Sequence, residues 1–260
     1  TGGSIVYDGQ ELLNLPEAEM LPLRGKRISM IFQDPMTSLN PTQTVGDQIL
    51  EVLNLHFPEM TREEKNKRVD EMMTLVGIPP QRKKSFPHEF SGGMKQRVVI
   101  AMALVAEPEL LLADEPTTAL DVTIQAQILE LMKQLREKFN TSVMLITHDL
   151  GVVAQFCDSV SVVYAGRVVE YGPVEIVFQR KENHPYTAGL FNCIPNLHDD
   201  QPRLHPIAGH MADPRVEYKG CCFADRCEYA TERCRTEAPS MHVCGEHGIL
   251  CHRYAEKEEF

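Results

Sequence analysis

The stretch "LLLADEPTTALD" (110–121) drives an apolar run straight into two adjacent acids, Asp114 and Glu115, with a third, Asp121, just beyond. Along extended chain, neighbouring side chains point to opposite sides. One carboxylate can therefore hold Mg²⁺ while the other faces a water. Phosphoryl transfer needs that division of labour, a metal against phosphate charge and a group that orients the attacking water. "SGGMKQR" (91–97) offers a second phosphate chemistry. Gly92 and Gly93 let backbone N–H groups approach an anion, Ser91 adds a hydroxyl, and the helix that follows contributes its N-terminal dipole. Gln33 and His148 each close another apolar run. In open α/β sheets, ligands lie beyond the carboxyl ends of the strands. Gln33, Asp114, Glu115 and His148 are thus expected on one rim.

The cysteines form a separate constellation. There are eight, and six fall between Cys221 and Cys251; Cys157 and Cys193 are the others. Such clustering points to a metal or cluster site in a reducing compartment rather than to a disulfide framework. Cys221, Cys227, Cys234 and Cys251 space as C-x5-C-x6-C-x16-C. Four thiolates suit a [4Fe–4S] cluster or Zn²⁺. The spacing alone leaves cluster, zinc and free thiols open. Cys222 could replace Cys221, and Cys244 is additional. His242, His247 and His252 read as surface residues, Cys157 and Cys193 as small buried apolar ones.

The elements that must position these groups follow from periodicity and punctuation. "SIVYDGQELL" reads as a strand and a tight turn at Asp8-Gly9. "RISMIFQDP" reads as a strand ending at Gln33, with a loop through Pro35 and Pro41. Two helices follow, over about 45–57 and 62–76, the second stopped by Gly77 and Pro79. "ELLLAD" and "SVMLITHD" read as buried parallel strands around an amphipathic helix over 122–139. A helix over 149–156 and a strand pair turned at Ala165-Gly166 come next. The alternation implies an α/β domain with a parallel core. After about residue 180, Pro, His and Cys dominate, as in a small domain held by a staple rather than by a large core.

Composition narrows the class. The 260 residues are 43% hydrophobic, enough for one sizeable domain and a small one. No apolar run approaches the length of a membrane span, and no secretory signal is visible. A formal charge of −11 argues against nucleic acid as the main partner. The opening "TGGSIVYDG", without Met, reads as the middle of a domain.

"FSGGMKQR", "LLLADEP", "TALD" and "LITHD", in this order and spacing, resemble the ATP-binding subunit of ABC transporters over roughly residues 3–180. The resemblance implies an ABC-type P-loop ATPase core: a parallel sheet with helices, and a helical subdomain over about 40–107. It implies Gln33 as the Q-loop glutamine and Ser91, Gly92 and Gly93 as the signature that meets the γ-phosphate of ATP held by the opposite subunit. It further implies Asp114 on Mg²⁺, Glu115 polarising water, Asp121 at the dimer interface and His148 at the γ-phosphate. The signature departs from the family pattern in reading Phe-Ser-Gly-Gly-Met. No G-x-x-x-x-G-K-[ST] occurs anywhere, "RGKR" at 24–27 being no substitute. The expectation is a fragment whose phosphate loop lies upstream, inactive by itself.

"IFQDPMTSLNP" (31–41), "NHPYTAGLFNCIPNL" (183–197) and "GCCFADRC" (220–227) resemble the oligopeptide and dipeptide permease ATPases. That resemblance implies a C-terminal extension over 181–260 carrying a [4Fe–4S] cluster on Cys221, Cys227, Cys234 and Cys251, with Zn²⁺ as the alternative. It implies a second ATPase subunit, forming a heterodimer, and two membrane permease subunits. A solute-binding protein would take part indirectly, and the chain would be peripheral at the cytoplasmic face of the inner membrane. Importers of nickel or other small solutes are near relatives. A soluble ABC ATPase outside transport is a further alternative.

Overall fold

The structure, a computed structural model, describes residues 3–118, 120–179, 181–194, 206–213 and 215–255. Ala119 of "TALD" and the last three residues of the 183–197 stretch therefore lie outside the described residues. The chain forms two compact units, residues 1–150 and 151–260. The compositional change near 180 falls inside the second.

The first unit opens with a small hairpin, β1 (Val6–Tyr7) and β2 (Gln10–Glu11), turned where Asp8 and Gly9 both take positive φ, as two-residue hairpin turns require. A short helix α1 (Glu17–Met20) and strand β3 (Ile28–Ile31) follow. The region read as a loop after Gln33 contains a four-residue helix, α2 (Pro35–Ser38). It starts on a proline, which the first helical turn tolerates because it needs no N–H there.

Next come α3 (Val45–His56) and α4 (Arg62–Leu75), each started by a threonine. The Thr44 hydroxyl accepts the Asp47 N–H, and Thr61 forms a reciprocal capping box with Glu64. Val45, Ile49 and Leu53 of α3 and Val69, Met72 and Met73 of α4 are buried. Gly77, at φ +75°, ends α4. Helix α5 (Gly92–Leu104) then buries Val98, Ile100, Ala101 and Leu104.

Strand β4 (Leu110–Asp114), helix α6 (Val122–Phe139) and strand β5 (Ser142–Ile146) complete a β3-β4-β5 parallel sheet, with Ile31 opposite Ala113 and Asp114 opposite Ile146. One face is covered: Ile31, Leu111 and Ala113 are at most 1% exposed. The other is open, with Met144 57% and Ile146 50% exposed. This corrects the expectation of strands buried on both faces. Leu110 and Leu112 of β4 are partly shielded on that side.

Helix α7 (Leu150–Phe156) leads into the second unit. Strands β6 (Ser159–Tyr164) and β7 (Arg167–Pro173) turn at Ala165-Gly166, both at positive φ. Helices α8 (Val174–Phe178), α9 (Pro185–Asn192) and α10 (Glu232–Thr236) precede the hairpin β8 (Met241–Cys244) and β9 (His247–Leu250). The sheet order is β6-β7-β9-β8, all antiparallel. The β6–β7 pair thus shares a sheet with the Cys-rich tail, because β9 takes the free edge of β7. Among the described residues, no helix is long and apolar enough to cross a membrane.

Candidate active site

Strand β4 delivers Asp114 and Glu115 at its carboxyl end, as its apolar run requires. Glu115 N–H donates to the Ile146 carbonyl at 2.9 Å, extending the ladder by one bond. The chain then turns sharply, and Glu115 sits at φ +45°, a region that non-glycine residues occupy at some strain. That turn aims its carboxylate at three partners. Gln33 Nε2 donates to Oε2 at 2.8 Å, the Thr118 hydroxyl donates to Oε2 at 2.9 Å, and His148 Nδ1 lies 3.0 Å from Oε1. These bonds, His148 first, then Thr118 and Gln33, hold the Glu115 carboxyl below its ordinary pKa. Its side chain is 22% exposed, and the His148 side chain is 75% exposed. The site is therefore an open rim rather than a closed pocket.

Three of the four groups expected on this rim meet directly: Gln33, Glu115 and His148. Asp114 is the strand residue beside them, with no hydrogen bond to the trio among the described residues. A partner that the sequence reading missed is Thr118. Its signal was local, a hydroxyl three residues after Glu115 in a turn, and Thr118 N–H also donates to the Glu115 carbonyl. Behind the rim, Gln125 of α6 donates to Asp149 at 3.2 Å, and the Thr147 hydroxyl accepts the Asp149 N–H.

Ser91 and Asp121 have helix-starting duties. Ser91 Oγ accepts the Met94 N–H at 3.4 Å, and Asp121 Oδ1 accepts the Ile124 N–H at 3.0 Å. Ser91 keeps its hydroxyl proton for another acceptor. Gly93 lies so close to α6 that an added Cβ would stand 2.6 Å from Ile124 Cγ2. Close helix packing therefore gives that glycine a second reason to be there. Among the described residues, no hydrogen bond ties Ser91, Gly92 or Gly93 to the Glu115 cluster.

In the second unit, Cys221, Cys227, Cys234 and Cys251 line one small cavity, about 20 Å³, together with His184, Phe223 and His252. One water fills roughly 10–15 Å³ on this measure. Cys222 and Cys244 are not on its wall. Cys222 is buried in an aromatic cluster with Tyr164 and Phe223, its thiol 3.9 Å from the Tyr164 carbonyl. Burial pushes the Cys221 thiol up to about 11 and raises those of Cys227 and Cys251. The donor set suits a soft metal, yet among the described residues no group of three or more His, Cys, Asp or Glu stands in metal-holding geometry. The formed [4Fe–4S] ligand set expected from the spacing is thus not seen.

Other expectations in this unit also change. His247 is 2% exposed rather than superficial, and its Nε2 lies 2.8 Å from Oε1 of the fully buried Glu170. Asn183 Nδ2 donates to the same oxygen, and His184 N–H to Oε2. Cys157 and Cys193 are only half-buried.

Comparison with known proteins agrees with this geometry. A family model described as "ABC transporter" matches residues 1–118, and one described as "Oligopeptide/dipeptide transporter, C-terminal region" matches residues 169–234. The Haemophilus influenzae oligopeptide transport ATP-binding protein OppD is 48% identical over 99% of this chain and 79% of its own length. The Bacillus subtilis dipeptide transport ATP-binding protein DppD is 50% identical over 96% of this chain and 75% of its own length. Among solved structures, a dimeric ATP-binding cassette bound to ADP and Pi is 30% identical with a TM-score of 0.60, covering 67% of this chain and 74% of that one. A subunit of the cbiONQ transporter complex of Clostridium perfringens is likewise 30% identical, with a TM-score of 0.62 over 70% of each chain. By its fold, its strand-end cluster and these relatives, the chain belongs to the ABC transporter ATP-binding proteins, in the group that carries the oligopeptide/dipeptide C-terminal region.

Proposed function

We propose that this chain is the ATP-hydrolysing subunit of an ABC importer for oligopeptides or dipeptides. The observation that carries the reading is the convergence of Gln33, Thr118 and His148 on the Glu115 carboxylate at the rim of a parallel sheet. The names of the relatives support the cargo class. Nickel or another small solute is the second reading of the cargo.

Mg²⁺, when bound, neutralises charge on the transferring phosphoryl group. Asp114 is the residue assigned to hold it. Glu115 orients the attacking water, and the three hydrogen bonds that fix its carboxylate keep it ionised and therefore able to accept the water's proton. Gln33 binds the same oxygen through Nε2 and reports its state towards the membrane subunits. His148 serves the terminal phosphate. With Glu115 ionised, the proton of a neutral His148 ring sits on Nδ1, so Nε2 offers a lone pair. To donate to a phosphate oxygen, His148 must be doubly protonated or must swing away from Glu115. Ser91, Gly92 and Gly93 face the nucleotide of the opposite ATPase subunit, and Asp121 lies at that junction. The ATPase portion runs to about residue 180 and the extension from 181.

The partners in this reading are a related second ATPase subunit and two membrane permease subunits. A solute-binding protein contributes indirectly and nucleic acid does not. The chain sits peripherally at the cytoplasmic face of the inner membrane. Cys221, Cys227, Cys234 and Cys251 are the proposed ligands of a [4Fe–4S] cluster, or else Zn²⁺, acting as a staple. The support is that these four of the eight cysteines share one cavity wall.

The test is ATP turnover in the assembled transporter. Glu115→Gln is expected to lower kcat by about 10²–10⁴ while ATP is still bound. Unchanged turnover refutes the assignment. The 260-residue chain alone, which has no phosphate-loop lysine, is expected to turn over almost no ATP.

A further inference from the structure

His148 meets Glu115 Oε1 at 3.0 Å, yet its side chain is 75% exposed. An exposed ring keeps its aim only if the backbone beneath it stays in place. Strand β5 ends at Ile146 and helix α7 begins at Leu150. His148 therefore sits at the centre of a three-residue link that belongs to neither element. Two side chains brace that link. The Thr147 hydroxyl accepts the Asp149 N–H at 3.1 Å, and Gln125 Nε2 donates to Asp149 Oδ2 at 3.2 Å. The second contact ties the link to the first turn of α6.

That turn is a firm anchor. Asp121 Oδ1 accepts the Ile124 N–H, and the Asp121 carbonyl accepts the Gln125 N–H at 2.8 Å. Helix α5 grips the same stretch. Gly93 leaves no room for a Cβ against Ile124, and one turn along Arg97 Nη2 donates to Gln127 Oε1 at 3.3 Å. Arg97 is itself held, its Nη1 donating to the Val76 carbonyl at 2.8 Å. Ile124 faces α5 while the next residue, Gln125, reaches the link that carries His148.

We propose that Gln125 is a positioning residue for ATP turnover: through Asp149 it fixes the backbone under His148, so that the ring turns between Glu115 and the terminal phosphate without the link itself shifting. The proposal rests on the assignment of Glu115 and His148 to that reaction. Gln125 touches neither of those two side chains through any described hydrogen bond, and its effect runs through Asp149. A displaced catalytic group lowers turnover even when substrate binding is intact.

The test is a double-mutant cycle in the assembled transporter, with Glu115→Gln as the control for the reaction itself. Gln125→Glu sets two carboxylates against each other. Asp149→Asn leaves Gln125 an acceptor oxygen and should lose less. Gln125→Glu/Asp149→Asn restores the bond with donor and acceptor exchanged. Gln125→Glu is expected to lower kcat about tenfold with KM for ATP within about twofold, and the double variant is expected to regain at least about threefold of the loss. In the full 260-residue chain labelled with ¹⁵N-histidine, the His148 ring shifts should move in Gln125→Glu and return in the double variant, His148→Ala supplying the assignment. Wild-type kcat in Gln125→Glu overturns the proposal. So does a loss that the double variant does not recover, a rise in KM by the same factor, or unmoved His148 shifts. If Glu115→Gln turns over ATP normally, the reaction assignment fails and the proposal with it. If Glu115→Gln is slow but the cycle shows no coupling, the proposal alone fails.

Discussion

Glu170 is a buried carboxylate with three hydrogen-bond partners, and removing it should unpick a defined part of the fold. Its carboxylate accepts from Asn183 Nδ2, His184 N–H and His247 Nε2, all within a fully buried pocket. In Glu170→Ala, Asn183 still donates to the Val177 carbonyl at 3.0 Å. His184 N–H and His247 Nε2 both lose this acceptor. An unsatisfied buried group costs about 1–3 kcal/mol. Breaking a buried pair from one side gives a similar figure, about 3–5 kcal/mol. The assay is amide hydrogen exchange, read separately for β7 and β9 and for β3–β5, because a chain of two units has no single unfolding energy. Exchange in β7 and β9 should speed up by about 10²–10³, since each 1.4 kcal/mol is a factor of ten. Glu170→Gln, which keeps an acceptor oxygen, should lose less. Protection of β7 and β9 within tenfold of wild type in Glu170→Ala would refute the reasoning.

Further outcomes follow from single contacts. Gly93→Ala drives a methyl into Ile124 and should destabilise by about 1–3 kcal/mol, with partial recovery in Gly93→Ala/Ile124→Ala, measured by amide hydrogen exchange of the first unit's helices. Thr61→Ala removes the α4 capping box and should cost about 1 kcal/mol in the same assay. The Glu115 carboxyl, depressed in the folded state, contributes stability above the ordinary carboxylate range that is lost as pH falls through its lower native value. A ¹³C-carboxyl titration should show that low midpoint, and His148→Ala should move it upward towards the usual glutamate value; an unmoved midpoint would remove His148 as its leading cause.

Much of this was legible in the chain because the signals are local. Apolar runs, Gly77, and the Asp8-Gly9 and Ala165-Gly166 turns are read within a few residues of themselves. The helix predicted over 122–139 coincides with α6, whose start is capped by Asp121. Strand ends carrying Gln33, Glu115 and His148 were readable for the same reason. Thr118 was not, since its reach to Glu115 depends on a positive-φ turn that no propensity announces. Glu170 looked like one polar residue of an alternating strand, and its partner His247 stands 77 positions away. The exposure of Met144 and Ile146 on β5 was equally hidden, since they are the residue types that a core would use.

The pairing of β7 with β9 joins segments that leave the ribosome far apart in time. Until β9 emerges, the nascent hairpin offers an unsatisfied edge, the kind of surface through which unfinished chains associate. Closing so long a loop is also slow relative to forming helices. Synthesis therefore passes through an interval in which the Glu115 rim can already be assembled while the tail is still unzipped, and chaperone demand should concentrate in that interval.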